Sequence, residues 1–115
     1  MEMGPLLPLT DFAAAVRAAL PWIGTDPTSR FGARKVFISA IYRSLCAEGQ
    51  DVGTLDAFKA SLVDCNRAGL LSLARADLVG AMDRAAVTAS EIRSLGSEFH
   101  FVIDPTAREP WEVAA

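Results

Sequence analysis

Residues 54–73 read TLDAFKASLVDCNRAGLLSL, and this stretch decides the fold. Thr54 stands where a helix is capped, and Asp56 falls in the first turn, where negative charge suits the helix dipole. Leu55, Phe58, Leu62 and Cys65 recur at the three-to-four spacing of one buried face. Gly69 follows Ala68 at a position where a left-handed residue ends a helix. Leu70, Leu71, Ser72 and Leu73 then form a short apolar run, which predicts a strand. The face opposite Phe58 carries Asp56, Ala60, Val63, Asp64 and Arg67, with Lys59 and Asn66 at the edges of the buried stripe.

Upstream, residues 1–9 form a proline-containing lead. Thr10 predicts the cap of a helix reaching Leu20, with Phe12, Val16 and Leu20 as its stripe and Pro21 as its stop. Trp22 and Ile23 are expected to cover a core edge, and residues 24–29, GTDPTS, read as a loop. A second helix is expected from Phe31 or Gly32 to Ala47. Its buried face is Phe37, Ile38, Ile41 and Leu45, and its polar face Lys35, Ser39, Arg43 and Cys46. Gly49 ends it, and GQDVG turns the chain towards Thr54.

Downstream, Asp77 is expected to cap a short helix from Leu78 to Met82. Residues 85–95 are ambiguous: Val87, Ile92 and Leu95 with Gly96 suit a helix, and Val87, Thr88 and Ile92 suit an extended wing. In SEFHFVID, residues 97–104, Phe99, Phe101 and Ile103 alternate with Glu98, His100 and Val102, as in a half-buried strand. That strand should pair with Leu70–Leu73. The segment from Asp104 to Ala115 has three acids against one arginine, and only Trp111 and Val113 could pin it down.

A chain of 115 residues fits one domain and buries enough surface for a core without staples. The net charge of −3 gives no global attraction to nucleic acid or to an anionic membrane. The start, MEMGPLLPL, lacks a basic leader pattern, and no apolar run reaches the ~20 residues of a membrane span. Cys46 and Cys65 fall on different helix faces, so the expectation is a cytoplasmic protein with free thiols, Cys65 buried and inert.

Catalytic constellations are not visible. One histidine and two cysteines 19 positions apart give no metal-ligand spacing, so no metal is expected. His100 would have to serve any nucleophile as base, and nothing like G-x-S-x-G is present. Glycine-rich phosphate cradles are missing too, and no cofactor or small-molecule substrate is expected. One charge run stands out. Between Pro27 and Ala47 there is no acid, while Arg30, Arg34, Lys35 and Arg43 are basic. These four are the candidate contact for phosphate, nucleic acid or an acidic protein, beginning at an expected helix N-terminus. Arg75, Arg84 and Arg93 are balanced by Asp77, Asp83 and Glu91.

The order helix, helix, strand and closing strand over residues 31–104 resembles the winged helix-turn-helix class. It is carried by TLDAFKASLVDCNRAGLLSL and SEFHFVID. The resemblance implies an α+β domain, mainly helical, with a small antiparallel sheet whose strands lie near 70–73 and 98–103. Residues 10–104 would form its body and 105–115 a C-terminal tail. In that class the domain often binds DNA, and many members bind proteins or dimerise. Two features depart from groove reading: the acid-rich outward face of the central helix, and the length of the segment from Ala74 to Ser97. The sequence therefore predicts a non-enzymatic protein-interaction or adaptor module. Its contact residues are Asp56, Ala60, Val63, Asp64 and Arg67, and a DNA-binding regulator is the alternative.

Overall fold

The computed structural model describes residues 8–109. Three helices make the body: α1 (Leu9–Ala19), α2 (Ile38–Ala47) and α3 (Leu55–Arg67). Between α1 and α2 lie two short strands, β1 (Arg30–Phe31) and β2 (Lys35–Phe37). After α3 come β3 (Leu73–Ala74), a 3₁₀ turn at Val79–Ala81, and α4 (Arg84–Ser90). β4 (Ile92–Ser94), β5 (Ser97–Phe99) and β6 (Phe101–Ile103) complete the chain. The fold is α+β, with a four-stranded antiparallel sheet in the order β1-β2-β6-β3 and a separate β4-β5 ribbon.

The central helix forms as its sequence dictates. The Thr54 hydroxyl accepts the Ala57 amide proton at 3.1 Å. Gly69 takes φ +76°, which closes the helix end without the clash a Cβ brings. Phe58, Leu62 and Cys65 are fully buried, and Leu55 is half-buried. Phe58 meets the rings of Phe12 at 5.4 Å and Tyr42 at 5.3 Å, joining α3 to α1 and α2. On the other side of the core, Phe37 packs on Phe101 at 4.6 Å and joins β2 to β6. The Asn66 side-chain oxygen accepts the Leu73 amide and fixes the start of β3 against α3.

Several expectations need correction. Thr10 caps nothing: α1 begins at Leu9, and no side chain caps it. Ile23 is buried, whereas Trp22 is 84% exposed. The second helix starts at Ile38, not at Phe31 or Gly32. Gly32 at φ +73° turns β1 back onto β2, so Phe37 reaches the core from a strand. Leu70 and Leu71 leave α3 in a turn, and pairing with β6 begins only at Leu73, opposite Val102. Asp77 does not cap the turn after it. Both readings of residues 85–95 hold in part, since the segment is helix and then strand. Asp83, read from the sequence only as a balancing charge, caps α4 by accepting the Ala86 amide.

Residues 97–103 form two strands rather than one, and the break falls at His100. Val102 is fully buried and Phe99 only half-buried, because the chain changes sheets between them. Ser39, expected on a polar face, is buried beneath α4. There the Ser90 hydroxyl accepts the Ser39 amide at 2.9 Å and meets its hydroxyl at 3.0 Å. Ser90 thus satisfies an orphan N–H at the α2 N-terminus that no local cap reaches. Trp111 and Val113 lie outside the described residues.

Candidate functional site

The outward residues of α3 open into a groove of about 430 Å³. Asp56, Ala60, Asp64 and Arg67 are exposed, and Val63 is half-buried at the edge of the core. All five line this groove, with Lys59 beside them. The opposite wall is β4, through Ile92, Arg93 and Ser94, with Glu91 just before it. This second wall was not read from the sequence. Its signal was the pair Leu95-Gly96 between two strand-like segments, a two-residue hairpin turn.

The two walls run in the same sense. At one end, Lys59 acts on the Glu91 carboxylate; at the other, the Arg67 guanidinium reaches the Ser94 hydroxyl at 3.4 Å. The Arg93 guanidinium holds Glu91 at 2.6 Å, which lowers the Glu91 carboxyl below its ordinary value and raises Arg93. Six of the ten lining residues are charged, three of each sign. Small-molecule sites are mostly apolar with few polar groups, so this lining suits a macromolecular surface better. Ala60 and Val63 form an apolar strip between the charges, which is cheap to desolvate, and the charged rim can set orientation.

The basic stretch does not assemble as expected. Arg30 is buried, with 7% of its surface exposed. Its guanidinium donates to the carbonyls of Leu20, Ile23, Gly24 and Ala33 and to Asp104 Oδ2 at 3.1 Å. It stitches the loop after α1 to the end of β6 and has no free face for a phosphate. Burial pushes the Asp104 carboxyl up. The Thr106 hydroxyl and amide, with Arg30, outweigh that and hold it below its ordinary value. The amides of Ala33 and Arg34 point at the Glu109 carboxylate at 2.9–3.1 Å, so this turn already holds an anion. Lys35 lies over the Phe101 ring, 5.9 Å from its centroid. Of the four, Arg43 alone is exposed, beside α4.

His100 is buried, not on a surface face. Its Nδ1 accepts the Ala76 amide proton at 3.0 Å, so in the neutral ring Nε2 carries the proton. Burial lowers its pKa, against the carboxylates of Glu91, Glu98 and Asp77. Ligand atoms of Glu91, Glu98 and His100 lie within 4.8 Å of one another. With Nδ1 occupied and Nε2 protonated, however, the imidazole presents no lone pair to an ion. It is set to face carboxylates, not a metal. Cys65 is buried, and burial raises its thiol pKa; Cys46 is exposed.

Among the described residues, no helix is long and apolar enough to cross a membrane. No protein-family model, no curated protein and no solved structure matches the chain.

Proposed function

We propose that this chain is a non-catalytic, winged-helix-like interaction module that works in the cytoplasm, and that it binds a protein in the groove between α3 and β4. One observation carries the reading. Five outward residues of one helix, an apolar strip and a charged rim of both signs, share a single groove with a strand edge. The strand order β2-β6-β3 beside α1, α2 and α3 supports the winged-helix-like description. In this arrangement α3 is the helix that a DNA-reading member would place in the major groove. Here that helix offers Asp56 and Asp64, which repel phosphate.

Duplex DNA is the weaker reading, because the burial of Arg30 leaves Arg34, Lys35 and Arg43 as the remaining basic contacts of the stretch. About three phosphate contacts would give a shallow salt slope and a weak anchor. A salt-sensitive, sub-micromolar gel shift with random duplex would reverse this ranking.

Ala60→Glu is the direct test. Ala60 is exposed on α3, so stability should stay within about 0.5 kcal/mol. Protein association, read by pull-down and by sedimentation, should be lost. Val63→Glu is a harsher version, since Val63 packs partly on the core and its loss costs stability as well. If every association survives Ala60→Glu, the groove is not the contact surface.

A further inference from the structure

The β4 wall of the groove is an unpaired strand edge. β4 pairs with β5 and with no other strand among the described residues. The ribbon closes through Leu95 at φ 50° and Gly96 at φ 81°, the backbone of a two-residue turn with both residues left-handed. In such a hairpin the flanking pair, Ser94 and Ser97, exchanges hydrogen bonds. The next pair, Arg93 and Glu98, does not, so the Arg93 N–H and C=O point away from β5. Side chains of a strand alternate between its faces, yet all three residues of β4, Ile92, Arg93 and Ser94, line the groove. The groove therefore borders the edge of β4 and not one of its faces, and the free Arg93 backbone pair is aimed into it.

We propose that the groove is occupied by an extended peptide strand that pairs with Arg93 on the free edge of β4 and lies along α3. This rests on the groove being the contact surface and names the kind of partner it takes. A strand edge beside a helix recognises peptide through main-chain hydrogen bonds, and side-chain pockets supply the selectivity. The distance from Asp56 to Arg67 along the helix is roughly 16 Å, the length of about five extended residues.

Charge sets the direction. Glu91 and Arg93 neutralise each other, so the extremities of α3 set the field: Asp56 at one end and Arg67 at the other, with Lys59 and Asp64 between them. Antiparallel pairing is the more stable ladder, and it runs the peptide from the Arg67 end to the Asp56 end. The partner strand then carries an acid towards its N-terminal side, a small apolar residue over Ala60 and Val63, and a base towards its C-terminal side.

The test selects binders to the full chain from a displayed library of random peptides of about twelve residues, long enough to cover the groove. Binding is then measured to Arg93→Ala and Arg93→Pro. Proline removes only an N–H that the β4-β5 ladder does not use, and an edge strand tolerates it there. Recovered peptides should share the order acid, small apolar, base. Affinity should fall about tenfold or more further in Arg93→Pro than in Arg93→Ala. Independently of folding, the Arg93 amide of the labelled wild-type chain should slow in hydrogen exchange when peptide binds.

Recovery of no binder, or equal binding by Arg93→Pro and Arg93→Ala with an unchanged Arg93 amide, overturns the proposal. If those same peptides still lose binding in Ala60→Glu, the groove stands as contact surface and only strand pairing fails. A dimer of the chain alone that Arg93→Pro dissolves would assign the edge to a second copy, which also overturns it.

Discussion

The three-helix body and the segment from Arg75 to His100 are held in different ways. The body buries Phe12, Phe37, Phe58 and Phe101 with Leu20, Ile38, Ile41, Leu45 and Leu62, all essentially sealed from solvent. The later segment gives the core only Ala76, Ala86, Val87 and Ile92, none of them large and fully buried. It is fastened instead by a few polar contacts: Ser90 on the Ser39 amide, and the His100 backbone, whose carbonyl accepts the Ile38 amide and whose amide donates to the Ala74 carbonyl. Its surface arginines Arg75 and Arg93 are spent on their neighbours Asp77 and Glu91. One wall of the groove thus belongs to a rigid core, and the other to an attachment that a few hydrogen bonds position. Substitutions in the body should report global unfolding, and substitutions in the attachment should report local release.

Phe58→Ala should have the largest effect, about 3–5 kcal/mol of lost stability by chemical denaturation. Arg30→Ala belongs in the same range, about 3–5 kcal/mol, because it strands the buried Asp104 carboxylate. A loss within about 0.5 kcal/mol at either position would place that residue on the surface and dissolve the contrast.

Ser90→Ala should cost less, about 1–3 kcal/mol, by leaving the buried Ser39 amide unsatisfied. Hydrogen exchange should show faster opening of α4 and β4, with α1 and α3 unchanged. Uniform acceleration across the chain would mean that the attachment and the body unfold as one.

Acid should separate the regions in the same order. His100 and Asp104 both titrate lower in the folded chain than when unfolded. The unfolded chain therefore binds more protons, and stability rises with pH through each interval. The His100 contribution is complete above its unfolded value of about 6.5 and fades as pH falls below it. The Asp104 contribution persists to about 3.9 and fades further down. Protonating His100 also breaks its bond from the Ala76 amide. The attachment should loosen first, in a step that His100→Gln removes. A stability profile flat between pH 7 and pH 5 would contradict this.

The smallest effect concerns the ribbon tip. Leu95 is 89% exposed and sits at positive φ, where leucine is strained. Leu95→Asn should stabilise the chain by about 1 kcal/mol, since asparagine before glycine suits this turn. A loss of stability would mean that the leucine is held by contacts in the folded chain.

The same contrast decides what could be read from the sequence. The central helix was legible because its signals are local: a capping threonine, a stripe at helical spacing and a glycine stop. Phe37, Ile41, Leu62 and Phe101 were legible as core for the same reason, although Phe37 arrives on a strand. FGARKVF, residues 31–37, was misread as helical because its charges and Gly32 resemble a helix entry. The β-branched and aromatic pair Val36-Phe37 after a glycine was the available sign of a hairpin. Alternation carried His100 outward because it was counted through a point where the chain changes sheets. Arg30 looked like a free cation because four of its acceptors are backbone carbonyls, which no residue type marks, and the fifth is the carboxylate of Asp104, 74 positions away. The five outward residues of α3 were named correctly as one face. Their opposite wall was not, because tertiary packing alone brings β4 against α3.

The most direct measurement is an amide-shift map of the labelled chain titrated with a peptide selected on it. Shifts concentrated at residues 56–67 and 91–94 are the expected result. Shifts concentrated at residues 30–43, with α3 and β4 unmoved, would contradict the groove as the contact surface.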